Sequence, residues 1–146
     1  MTEPGRLELT ADARRLPWTR GRLEAAIVVG GVVGALTRAG LERAFPWDGH
    51  GWPWVTFVVN IVGTLLLGYF ATRLQERLAP STYGRPLLGT GFCGALTTFS
   101  TFQFELVELV RNGAAATATG YVICSLAAGL LGVYLATALT RRVRLR

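Results

Sequence analysis

The densest set of reactive-looking side chains lies in Gly91-Phe92-Cys93-Gly94-Ala95-Leu96-Thr97-Thr98-Phe99-Ser100-Thr101-Phe102. Thr97, Thr98, Ser100 and Thr101 surround Phe99 and Phe102, all inside an uncharged run from Pro86 to Phe104. That run is long enough to cross a membrane, yet a lipid-facing span needs no such set of hydroxyls. Gly91 and Gly94 disfavour a smooth helix. Thr and Ser can bond backbone carbonyls that a helix break sets free. Broken backbone at membrane depth is tolerated only where protein or a wet cavity surrounds it. The stretch therefore reads as a helix break with a polar task.

Other polar residues are sparse. Asn60 is the one amide in a second apolar run, and burying it without partners costs about 1–3 kcal/mol. It must face protein or water, either as an interhelical hydrogen bond or with its NH2 toward an anion path. Arg38 stands near the end of the first apolar run and must snorkel, find an acceptor, or supply a positive field at a pore mouth. Tyr121 and Ser125, spaced i and i+4, share one helix face.

Catalytic sets are absent from this pattern. Gly89-Thr90-Gly91-Phe92-Cys93-Gly94 matches a dinucleotide fingerprint in letters only, because no strand precedes it. His50 is alone in a loop, and Cys93 and Cys124 fall in apolar runs, so no nucleophile–base pair or metal cluster assembles. Glu24, Glu42, Glu105 and Glu108 read as lying at or near span ends, which favours passive conduction over pumping. The reading is not that of an enzyme.

These residues must be positioned by membrane helices. Of 146 residues, 51% are hydrophobic and 16% charged, and all fifteen basic residues are Arg. Four spans are expected at about residues 23–44, 52–73, 86–110 and 113–140, between a polar tail (1–22) and a basic tail (141–146). The first span carries Gly30, Gly31 and Gly34, a small-residue pattern for close helix packing. Trp47, Trp52 and Trp54 cluster as aromatics do at a lipid–water boundary. The Arg residues gather at the termini and in the connector after the second span. They read as membrane-flanking charge, with no nucleic-acid partner. With an even number of spans, one side collects twelve Arg and the other only Arg43 and Arg111. Both termini are therefore expected in the cytoplasm of a multi-pass plasma-membrane protein.

The motifs Gly30-Gly31-x-x-Gly34-Ala35-x-x-Arg38, Val59-Asn60-x-x-Gly63-Thr64-x-x-x-Gly68 and Gly91–Phe102 resemble the bacterial fluoride channels of the CrcB/Fluc family. The likeness covers about Ala25 to Thr140. It implies an all-α membrane fold of four helices, the third broken, paired as an antiparallel, dual-topology dimer with two fluoride pores at the subunit boundary. Phe99 and Phe102 match pore aromatics, whose electropositive ring edges can meet an anion. Asn60 matches a pore amide, Thr98 and Ser100 nearby hydroxyl donors, and Tyr121 and Ser125 the start of a polar track. Gly94 and Thr97 match the break whose backbone carbonyls hold a structural sodium ion, Na+, that is not transported. Arg38 falls at a pore vestibule or anchoring position.

Two positions depart from the family pattern: Gly94-Ala95 stands where Gly-Gly is common, and Gly129 ends the polar track without a hydroxyl. The lopsided Arg distribution departs from the balance an inverted homodimer needs, so an oppositely oriented paralogous chain is the other expected partner. Two further readings fit the composition: a small multidrug-type transporter and a non-conducting assembly subunit.

Overall fold

The structure, a computed structural model, describes residues 17–76 and 83–142. It is helical, with no strand among the described residues. Helix α1 (Pro17–Ala44) opens on a proline, whose fixed φ and missing N–H suit a first helical position. It begins inside the stretch expected to be tail; residues 1–16, 77–82 and 143–146 lie outside the described residues. Helix α2 (Trp54–Glu76) and the last helix (Ala115–Arg142, α6 below) are the other long ones. Three stretches, Arg20–Ala44, Trp54–Thr72 and Ala115–Thr140, are long and apolar enough to cross a membrane.

The third apolar run is divided. Helix α3 (Arg85–Cys93) is wound as a π-helix, a rare form that is frequent at functional sites. A single turn, α4 (Gly94–Leu96), follows. Thr97 is extended, with φ −76° and ψ 150°. Helix α5 (Ser100–Arg111) then resumes. The interruption falls at Thr97–Phe99, because Gly94 itself keeps helical angles of φ −64° and ψ −32°.

The glycines of this region act through closeness. A Cβ added at Gly30 would run into the carbonyl oxygen of Leu87, and one at Gly34 into that of Phe92. One at Gly91 would lie 3.1 Å from the Cα of Gly30. Helix α1 therefore meets α3 and α4 backbone to backbone, while α2 packs along α6 and reaches α3. Helix α5 rests on α6 and α2, around a core of Leu109, Ala118 and Tyr121 with Trp52, Phe57 and Phe102 against it.

Two turns meet at one end. Gly113, at φ 77°, closes α5: Gly113 N–H donates to Val110 O at 3.1 Å and Ala114 N–H to Leu109 O at 2.8 Å. In the α1–α2 loop, the Asp48 carboxylate accepts the amides of His50 (3.1 Å) and Gly51 (3.3 Å). Those N–H groups hold its carboxyl below the usual carboxylate range, His50 contributing most. Asn112 Nδ2 donates to Gly49 O at 2.8 Å and ties the two turns together. Much apolar surface stays open: only 11% of the α1 and α6 spanning windows is buried by the chain's own atoms. Val29, Leu36, Leu126 and Leu130 are among the exposed side chains, a surface suited to lipid or to another chain.

Candidate functional site

A helix that stops inside a protein leaves donors and acceptors without partners. Here α2 supplies them. Asn60 Nδ2 donates to Thr98 O at 3.1 Å, and its Oδ1 accepts from Thr98 N–H at 2.8 Å. The amide thus makes an interhelical hydrogen bond to the broken segment. Its Nδ2 carries a second proton. Gly63, one turn further along α2, makes room for the break: a Cβ there would run into Thr97 Cγ2.

The hydroxyls brace the same segment. Thr97 Oγ1 donates to Cys93 O at 3.0 Å. Thr98 Oγ1, in a buried residue, accepts Thr101 N–H at 3.2 Å, donates to Thr101 Oγ1 at 3.1 Å and lies 3.2 Å from Ser100 Oγ. Thr98 therefore starts α5 from within the break, as a capping residue does.

The rings stand next to it. Phe99 and Phe102 pack with centroids 6.2 Å apart and planes at 29°. Phe102 lies 4.8 Å from the Tyr121 ring. Phe99 is 71% exposed, whereas Phe102 is half-buried. Behind Phe102 sits a carboxylate that sequence reasoning put near a span end. Glu105 is 5% exposed; Thr56 Oγ1 donates to its Oε1 at 2.6 Å and Tyr121 OH to its Oε2 at 2.9 Å. Glu105 follows Phe102 by three positions and precedes Leu109 by four, so one inward face of α5 holds all three. That spacing was the available signal.

One open groove of about 640 Å³ gathers several of these groups. Asn60, Thr98, Phe99, Phe102 and Ser125 line it, as do Gly94 and Thr97. Ser125 Oγ is buried and has no hydrogen-bond partner among the described residues. Ser100 joins through its contact with Thr98, and Tyr121 stands one layer back, hydrogen-bonded to Glu105. Arg38 is apart, on α1, with Nε directed to Ala95 O at 3.3 Å and NH1 to Glu42 Oε1 at 3.0 Å.

Among the described residues no group of three His, Cys, Asp or Glu side chains could hold a metal. Any cation here would depend on backbone oxygens, the donors a hard ion prefers. Cys93 O accepts Thr97 N–H and Ala95 O accepts Arg38, but no hydrogen bond from a described residue reaches Gly94 O. Gly94 is exposed on the groove, so its carbonyl fits such a role.

Residues 25–137 match the family described as CrcB-like protein, Camphor Resistance (CrcB). The chain belongs to the CrcB-like family. It is 57% identical over 122 residues to "Fluoride-specific ion channel FluC 1" of Mycolicibacterium paratuberculosis, covering 84% of this chain and 92% of that one. It is 40% identical over 112 residues to "Fluoride-specific ion channel FluC" of Chlorobaculum tepidum, covering 77% and 89%. With "Fluoride-specific ion channel FluC 1" of Streptomyces coelicolor the identity is 34% over 140 residues, covering 96% and 91%. Family membership and three membrane-length helices make this CrcB-like chain a multi-pass cell-membrane protein.

Proposed function

We propose that this chain is a subunit of a passive fluoride channel that lets cytoplasmic fluoride leave the cell. It is a channel and not an enzyme. The observation that carries the reading is the groove that gathers Asn60, Thr98, Phe99, Phe102 and Ser125, in a chain whose relatives are named fluoride-specific channels. Fluoride is small and strongly hydrated, so a path for it must replace water with donors. The second Asn60 N–H and the Ser125 hydroxyl are such donors. The exposed Ser100 hydroxyl can turn its proton from Thr98 Oγ1 toward the path, while Thr98 gives its own proton to Thr101. The edges of Phe99 and Phe102 add a weakly positive, dry wall. Fluoride enters cells as the neutral acid and ionises in the more alkaline cytoplasm, so a passive path is enough to remove it.

The working unit in this reading is an antiparallel pair with two pores. A second chain laid on the groove side would cover Phe99, which one chain leaves open. Gly94 and Thr97 carbonyls from both subunits would hold a structural sodium ion, whose charge would tie the two breaks together. The termini and the connector between α2 and α3 face the cytoplasm, where the Arg excess belongs. The partner is a second copy or an oppositely oriented paralogous chain. The multidrug-type reading no longer falls for lack of a carboxylate, since Glu105 is buried; family membership now stands against it.

The test is efflux from fluoride-loaded proteoliposomes, followed with a fluoride electrode. Fluoride release without chloride release is expected, and release no faster than from protein-free vesicles would overturn the proposal. Flux from the single gene product supports the homodimer; flux only on co-expression with a paralogue supports the mixed pair.

A further inference from the structure

The helix that ends at Leu96 leaves its last carbonyls without amides, and they are provided for unequally. Cys93 O takes two donors from Thr97, at 3.1 Å from N and 3.0 Å from Oγ1. For Ala95 O the amide four residues on belongs to Phe99, across the break. In its place Arg38 Nε approaches from α1, at 3.3 Å. The same guanidinium is held by Glu42, one turn along α1, at 3.0 Å. Gly94 O, between these two, takes no bond from a described residue.

Arg38 is therefore turned to backbone, with 24% of its side chain exposed. A planar fork can serve Glu42 and Ala95 O at once, which the single ammonium of Lys cannot match. We propose that Arg38 is a positioning residue for the cation seat. It occupies Ala95 O in place of the lost amide, and so holds the helix end with the Gly94 carbonyl open. The inference rests on the sodium reading above and assigns Arg38 no contact with either ion. Partners that orient metal ligands from behind are worth about 10–100-fold in metal affinity.

The test uses full-length protein purified in sodium, moved into N-methylglucamine, and melted against sodium added back. The wild type should gain stability in a saturable way. Arg38→Lys should need about tenfold more sodium for half the gain, and Arg38→Ala at least as much. An Arg that only anchors α1 at the interface is replaced by Lys without effect, so an unchanged half-saturation in Arg38→Lys would overturn the proposal. Should Arg38→Ala fail to fold, the Lys variant decides alone. A wild type indifferent to sodium would overturn the cation reading and this inference together, whereas a sodium-responsive wild type with unaltered variants would sink this inference only.

Discussion

The Asn60 carboxamide closes on both backbone polar groups of Thr98, donating at 3.1 Å and accepting at 2.8 Å. One side chain of α2 thus fills the gap in the hydrogen-bond ladder that the interrupted crossing creates. Asn60→Leu should leave Thr98 N–H and C=O without it, at a cost of about 1–3 kcal/mol. Its melting temperature in detergent should fall, and fluoride efflux should drop at least about tenfold, as one lost hydrogen bond permits. Efflux and melting at wild-type values would remove Asn60 from both roles.

Glu105 makes a second test. Its two oxygens are held by Thr56 and Tyr121 in a buried setting. Tyr121→Phe removes one donor and should cost about 1–3 kcal/mol. Glu105→Ala removes the acceptor of both and leaves a cavity, so it should cost more. Thermal melts of the two variants and of Thr56→Val give the order directly.

Close backbone approach predicts position-specific intolerance of a single methyl. Gly34→Ala drives a Cβ into the Phe92 carbonyl, whereas Gly31→Ala meets nothing within 4 Å. The first should lose about 1–3 kcal/mol or fail to fold, and the second should stay near wild type. Gly63→Ala collides with Thr97 Cγ2, the methyl that Thr97→Ser deletes. The double variant should recover stability, with a coupling of about 0.5–3 kcal/mol in a double-mutant cycle.

The division of the third apolar run was legible because glycines and hydroxyls crowd one uncharged stretch. Its position was not. Gly94 stays helical and Thr97 turns, since glycine's role at Gly30, Gly34 and Gly91 is contact between α1 and α3. Asn60 was legible as a buried amide, while its partner, a backbone unit 38 residues away, was not. Glu105 was legible as a residue near the end of its run, six positions before Arg111 closes α5. Its burial was not, because Glu108 and Arg111 beside it made the stretch look solvated. The spacing of Phe102, Glu105 and Leu109 marks one face of α5, and the packing of Phe102 on Tyr121 with the Tyr121–Glu105 hydrogen bond shows that this face turns inward. Arg38 carried no sign of Ala95, because tertiary contacts to carbonyls leave no mark on side-chain type.

The α1–α2 loop gives a pH dependence. The Asp48 carboxyl is held below its ordinary value of 3.8 by the His50 and Gly51 amides. A depressed carboxyl contributes stability that is present above its unfolded pKa and is lost as pH falls through the folded one. The wild type should thus lose melting temperature below about pH 4 more steeply than Asp48→Asn, which keeps an acceptor without the titration. Parallel curves would refute the assignment.

The most direct measurement is fluoride efflux from proteoliposomes carrying Phe99→Ile or Phe102→Ile beside the wild type. Both variants keep an apolar side chain and remove the ring edge. The account predicts folded protein and fluoride release slowed by about tenfold, the scale of an edge-on ring contact of about 1.5 kcal/mol. Unchanged release in both variants would contradict it.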